Sequence, residues 1–256
     1  MIYDRLNGII DRILCADSID EVCHSCDEFC SLIDVDYYVY AAVIPTSLTQ
    51  PAFIYFDNFP GNWRERYLAE DLSSVDPTLS HCLESSLPIE WQSLQLTSSV
   101  LTDKRDFFRM LDGIGVKSGA SFPVHTAQGV RSMLSVASSQ PYPGVEKVFS
   151  ELKAYAQLFA IYVNESMIRL HEITPLVISD SPISDREREC LLWVAEGKTA
   201  WETGQILKIA ERTVNFHINN VSNKLGAVNR QQAVARAITL GIIAPSMRRK
   251  DLPLSS

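Results

Sequence analysis

Apolar positions recur along this chain with two different periods. Over 2–14 and 19–33 the spacing is helical; Cys23, Cys26 and Cys30 fall at i, i+3 and i+7, and Val22, Phe29 and Ile33 extend the same face. "YYVYAAVI" (37–44) and "AFIYF" (52–56) are dense in aromatic and β-branched residues and predict strands. Short helices are predicted at 63–72 and 76–85, the second opened by Pro77 in its first turn, and another at 103–114. "SGASFPVH" (118–125) and "GVRSMLSVAS" (129–138) are strand-like and joined by a short turn. From about 144 to 171, Val145, Val148, Phe149, Leu152, Tyr155, Leu158, Phe159, Tyr162 and Val163 predict one long helix. Its apolar residues spread so widely that a sheet and a partner subunit are both candidates to cover them. The elements add up to an N-terminal α/β/α sandwich around a mostly antiparallel sheet.

Beyond Pro182 the pattern is helical only. Ser184 with Glu187 and Thr199 with Glu202 have the spacing of capping boxes, and Asn229 with Gln232 repeats the device. Gly197 and Gly226 mark helix ends. Four short helices, two of them joined by the tight turn "KIA", predict an all-α helix-turn-helix domain. The fold class is therefore α+β. "ITPLVISDSPIS", with two prolines and three serines, predicts a linker. The expected division is 1–172, linker 173–183, and 184–245, with a frayed tail.

Composition narrows the class. Apolar residues make up 46% and charged residues 21%, as in ordinary soluble domains. There is no apolar run of about 18 residues, the length a membrane span needs. Asp4, Arg5, Asp11 and Arg12 interrupt the stretch a secretion signal would keep apolar. A cytoplasmic protein with no membrane partner is expected. Charge is uneven: from Pro182 onward 11 Lys and Arg face 7 Asp and Glu, a net of +4, while the preceding part carries 12 against 24, a net of −12. An acidic large part joined to a basic small part suggests that the small part meets a polyanion. The cysteine stripe, with His24 beside it, lacks a second cluster to complete four ligands, so a core stripe and no metal are expected.

Chemistry concentrates in the predicted third C-terminal helix. Val214, Ile218, Val221 and Leu225 form one apolar stripe. Thr213, Asn215, His217, Asn220, Asn223 and Lys224 fall largely on other faces, and such residues suit phosphates and base edges in a major groove.

Here the segment "SDRERECLLWVAEGKTAWETGQILKIAERTVNFHINNVSNKLGAVNRQQAVARAITLGII" resembles the DNA-binding domain of LuxR-type transcription factors, with Glu187, Leu191, Gly197 and "RTVNFHINN" at the family's marker positions. It departs at Ala210, where the family usually caps the helix with Ser, and at Thr203-Gly204, where an Ile-Ala pair is usual. Residues 1–170 resemble the family's autoinducer-binding domain through Trp63, Tyr67, Asp76-Pro77, Trp91 and Gly119.

The resemblance implies a receptor for an N-acyl-homoserine lactone, a signal ligand rather than a cofactor. Trp63 would donate to the lactone carbonyl, Asp76 would accept from the amide N–H, and Ser135 would help hold the acyl carbonyl. Tyr67 and Trp91 would wall the pocket. Phe59 stands where the family often has a Tyr, so one hydroxyl donor is missing there. The implied DNA contacts are Thr213, Val214, His217, Asn220 and Lys224. A homodimer would read a two-fold symmetric double-stranded site, with Asn229 to Gly241 helping to pair the DNA-binding domains. RNA polymerase is a further candidate partner. The rival reading is an orphan regulator whose sensor takes another small molecule or none. No G-x-S-x-G elbow appears and the five histidines have no evident nucleophile partner, so an enzyme is not expected.

Overall fold

A computed structural model describes residues 2–45, 50–97, 102–141, 145–170 and 183–244, without the side chains at 96–97 and 102–105. Two compact units form, the first from Met1–Thr126 with Val130–Ile173, the second containing Thr174–Ser256. Most of the predicted linker (173–182) and the tail from 245 lie outside the described residues.

The first unit runs α1 (Ile2–Cys15), α2 (Ile19–Ile33), β1 (Tyr37–Ile44), β2 (Ala52–Asp57), α3 (Trp63–Ala69), α4 (Pro77–Glu84), β3 (Ile89–Glu90), α5 (Trp91–Thr97), α6 (Thr102–Gly113), β4 (Ser118–His125), β5 (Arg131–Ser138) and α7 (Lys153–Leu170). Its sheet has the order β2-β1-β5-β4-β3 with every neighbouring pair antiparallel. The sequence pattern misses β3 and α5: two residues are too few to alternate, and "WQSLQLT" carries neither a Pro-led start nor a cap at its beginning. The predicted long helix instead begins with a wide π-type turn at Val148–Leu152, which buries both of those residues.

Strand alternation sorts the sheet into two unlike faces. One carries Tyr38, Tyr40, Ala42, Ile44, Phe56, Phe122, Leu134 and Val136, packed with residues of α1, α2 and α7. Phe29 of α2 stacks on Phe159 of α7 at 4.0 Å. Cys26 and Cys30 are buried in this core and burial pushes both thiols up, which fits the apolar stripe. Asn164 of α7 accepts from Tyr40 Oη at 3.1 Å and Ser132 Oγ at 2.7 Å, a buried network that fixes the helix on the sheet. The other face carries Val39, Ala41, Gly119, Ser121, Ser135 and Ala137, mostly small, under α3 to α6. Small side chains there leave room that the first face fills.

The second unit holds α8 (Asp185–Ala195), α9 (Ala200–Leu207), α10 (Glu211–Lys224) and α11 (Arg230–Thr239). The capping boxes of Ser184–Glu187 and Thr199–Glu202 form as the spacing predicts. Asn229 caps α11, but Gln232 Oε1 reaches back to the Val228 N–H at 2.8 Å, one residue further than expected. Cys190, Leu191, Val214, Ile218, Val221, Leu225, Ala233 and Ala237 make its core. Gly204 permits a close turn: a Cβ there would lie 2.7 Å from the Ile209 carbonyl oxygen. Thr203 is buried and its Oγ1 has no hydrogen-bond partner among the described residues.

Candidate functional site

Between the small-residue face and the helices above it lies a small cavity of about 10 Å³, close to the room one water molecule needs. Its walls include Phe59, Trp63, Tyr67, Asp76, Trp91 and Ser135, the six residues singled out from sequence for the ligand. They come from four different helical and strand segments and the loop before α3. The other lining residues are Val39, Tyr55, Thr78, Phe107, Leu111 and Met133. All of the lining residues except Tyr55 are buried.

Asp76 shows how local folding positions a charge. It is the N-cap of α4, and its Oδ1 accepts from Thr78 N at 2.8 Å, Thr78 Oγ1 at 2.7 Å and Leu79 N at 3.2 Å. Among the described residues Oδ2 accepts only the Tyr67 hydroxyl, at 3.0 Å. The cap therefore occupies one carboxylate oxygen and leaves an acceptor site on the other. Burial pushes this carboxyl above its usual range, against the pull of the Thr78, Leu79 and Tyr67 donors.

The indoles are already engaged. Trp91 Nε1 donates to Ser121 Oγ at 2.8 Å, and Ser121 lies 2.7 Å from Ser135 Oγ. With Trp91 filling one lone pair of Ser121, Ser121 can donate to Ser135, whose own proton goes to Met133 Sδ at 3.8 Å, a weak acceptor on the cavity wall that a carbonyl oxygen can replace. The Trp91 ring lies flat over Gly119, where a Cβ would come within 2.5 Å of it. That contact gives the physical reason for glycine at 119. Trp63 Nε1 donates to Tyr55 Oη at 3.0 Å rather than into open space. Tyr55 and Thr78 were not found by sequence reasoning. The strand parity of "AFIYF" puts Phe53 and Tyr55 on one face, but nothing in the sequence says which face carries a cavity.

In the second unit, α10 presents Arg212, Asn215, Phe216, Asn219 and Asn223 to the outside. Phe216 is 60% exposed and packs edge-on against His217. Thr213, His217 and Asn220 are half-buried on the flanks of that face. Two predicted contacts are corrected. Val214 is fully buried in the domain core, as its place in the apolar stripe requires, and has no surface to offer DNA. Lys224 is only 19% exposed in its side chain, and its Nζ is held 2.8 Å from Glu187 Oε2, so it ties α10 to α8. Burial raises the Glu187 pKa, but Lys224 and the Ser184 donors outweigh it and hold the carboxyl below the usual glutamate range. Ala210 caps α10 with no side-chain bond. Among the described residues no group of three His, Cys, Asp or Glu is placed to hold a metal ion, and no helix is long and apolar enough to cross a membrane.

Comparison with known proteins covers both units. Residues 18–167 match the model of the autoinducer-binding domain, and residues 181–237 that of the luxR family of bacterial regulatory proteins. The transcriptional activator protein AhyR of Aeromonas hydrophila is 30% identical over 97% of this chain and 96% of its own. The transcriptional activator protein SolR of Ralstonia nicotianae is 37% identical over 81% of this chain and 86% of its own. The crystal structure of Escherichia coli SdiA superposes with a TM-score of 0.77 at 24% identity, covering 96% of this chain and all of that one. SdiA in complex with octanoyl-rac-glycerol gives a TM-score of 0.73 at 24% identity, covering 94% and 96% of the two chains. These two structures bear on the fold alone.

Proposed function

The chain belongs to the LuxR family of transcriptional regulators, an autoinducer-binding domain joined to a helix-turn-helix domain and not an enzyme, and from that premise we propose that its signal is an N-acyl-homoserine lactone. The lactone takes the place of the cavity over the small-residue face, and the helices above it move outward to admit it. Asp76 Oδ2 accepts the amide N–H, Ser135 donates to the acyl carbonyl, and Phe59, Trp63, Tyr67 and Trp91 wall the head group. Phe107, Leu111 and Met133 border the tail. The observation that carries this reading is the convergence of six residues on one buried cavity whose polar atoms keep an acceptor and a donor to spare.

Two copies then read a two-fold symmetric site on double-stranded DNA. Arg212, Asn215, Phe216 and Asn219 face the major groove, flanked by Thr213, His217 and Asn220. Phe216 suits the methyl group of a thymine, and the asparagines suit adenine. The dimer uses the outer face of α7, where Leu158 and Ile161 are 36% and 45% exposed, and α11, where Ile238 is exposed. The regulator works in the cytoplasm alongside RNA polymerase.

A second reading has a specific ground. Phe59 removes a hydroxyl from the cavity wall, and SdiA is described in complex with octanoyl-rac-glycerol. An acylated molecule with a different head group is the alternative signal.

The test is expression in a host that makes no lactone, with a panel of acyl-homoserine lactones of varied tails or with octanoyl-rac-glycerol. Solvent extraction and mass spectrometry of the purified protein follow. One lactone retained at one per chain, with a higher soluble yield, is the expected result. Retention of the glycerol ester alone moves the assignment to the second reading, and retention of neither overturns both.

A further inference from the structure

Tyr55 lies on the cavity face of β2, opposite Ala41 of β1. Its ring stacks on Tyr67 with centroids 4.4 Å apart, which fixes where the hydroxyl points. That hydroxyl is 3.0 Å from Trp63 Nε1. An indole nitrogen can only donate, so the Tyr55 oxygen is the acceptor and the phenol keeps its own proton to give. Among the described residues no hydrogen bond takes that proton. Burial first, then the nearby Asp57 and Asp76 carboxylates, push the phenol's pKa up, so the proton stays on.

The other donors in the cavity are differently placed. Tyr67 spends its proton on Asp76, and so does the Thr78 hydroxyl. Trp91 spends its N–H on Ser121. Ser135 sits on β5, with β1 between it and Tyr55 in the sheet. The cavity thus holds two strand-borne hydroxyls able to donate inward, Ser135 and Tyr55, and one carboxylate oxygen able to accept.

We propose that Tyr55 is the donor to a carbonyl oxygen of the signal's head group, and that Trp63 acts through it. The indole N–H occupies one lone pair of the phenol oxygen and orients the O–H toward the cavity, so Trp63 is a positioning residue. A hydroxyl on β2 stands in for one that Phe59 does not supply from the loop before α3. The ligand class follows from the polar set: a head group with one N–H for Asp76 and, next to it, a carbonyl oxygen whose two lone pairs take the two hydroxyls. The inference rests on the reading that this cavity holds an acylated signal.

The experiment uses the full chain, N-octanoyl-homoserine lactone and its longer and shorter homologues as probes, a reporter dose response, and lactone retained per purified chain. Tyr55→Phe removes one oxygen and keeps the ring stack. It is expected to raise the half-maximal lactone concentration at least ten-fold. Adding Phe59→Tyr to that variant is expected to recover part of the loss, which a purely structural role for Tyr55 would not do. Phe59→Tyr alone is expected to gain less than Tyr55→Phe loses, because the carbonyl already has its donors. An unchanged response in Tyr55→Phe, or a gain in Phe59→Tyr alone that equals or exceeds ten-fold or the Tyr55→Phe loss, overturns the inference. The second outcome is readable even if Tyr55→Phe is insoluble. Wild-type protein that retains no lactone of any tail length overturns the ligand reading, and this inference with it. Retention with an unchanged Tyr55→Phe response overturns the inference alone.

Discussion

A single side chain can hold two jobs on two atoms. Asp76 caps α4 through Oδ1 and faces the cavity with Oδ2. Asparagine is as good a helix cap as aspartate, so Asp76→Asn keeps the cap and replaces only the cavity-facing acceptor with a donor. The expected outcome is a melting temperature and circular dichroism close to wild type with lactone response reduced at least ten-fold. An unchanged dose response would show that Asp76 is a cap and nothing more. Sequence made this residue conspicuous because an Asp before Pro77 is a helix start, but it could not separate the cap from the ligand role. At Val214 the apolar stripe already required an inward side chain, and the burial found there follows from that periodicity. Lys224 was misjudged because its partner Glu187 is 37 residues away in sequence.

Elements meet through contacts of this long-range kind. Glu187 serves α8 twice: Oε2 accepts from the Ser184 N–H at 2.8 Å and from Lys224 at the same distance. The pair joins the first helix of the domain to the end of α10. Lys224 and the Ser184 donors hold the Glu187 carboxyl below the usual glutamate range in the folded state, so the stabilisation is complete above the unfolded value and is lost as pH falls through the lower folded one. Glu187→Gln is expected to cost about 2 kcal/mol at neutral pH. The gap between variant and wild type should close as the pH is lowered below the usual glutamate range, followed by hydrogen exchange at α8 and α10 amides. A gap that stays constant across that range would mean the charge contributes nothing. Helices and long strands were legible from their periods, whereas β3 was too short to leave one and α5 lacked a start signal. Gly119 was legible as a marker position, and its reason, the indole of Trp91 laid against the backbone, needed the three-dimensional contact.

For the whole molecule, the two charge regimes of the chain correspond to two units with separate cores. The outer face of α7 leaves Ile161 45% exposed although the same helix buries Phe159 and Val163. Ile161→Asp is expected to shift the purified, ligand-bound protein from dimer to monomer in sedimentation and to leave retained lactone per chain unchanged. A dimer that survives the substitution would place the pairing surface elsewhere. The sandwich and the helical domain could be read from pattern alone. Which sheet face is hollow could not, because that depends on the sizes of residues brought side by side from β1, β4 and β5.

The burial of nearly every residue around that hollow bears on time as well as affinity. A molecule enclosed behind Trp63, Trp91 and Phe107 leaves only when the helical layer lifts, so its residence is set by how often the domain opens and not by the concentration outside. A receptor loaded in this way would respond to the recent past as well as to the present, over the interval between openings of the domain.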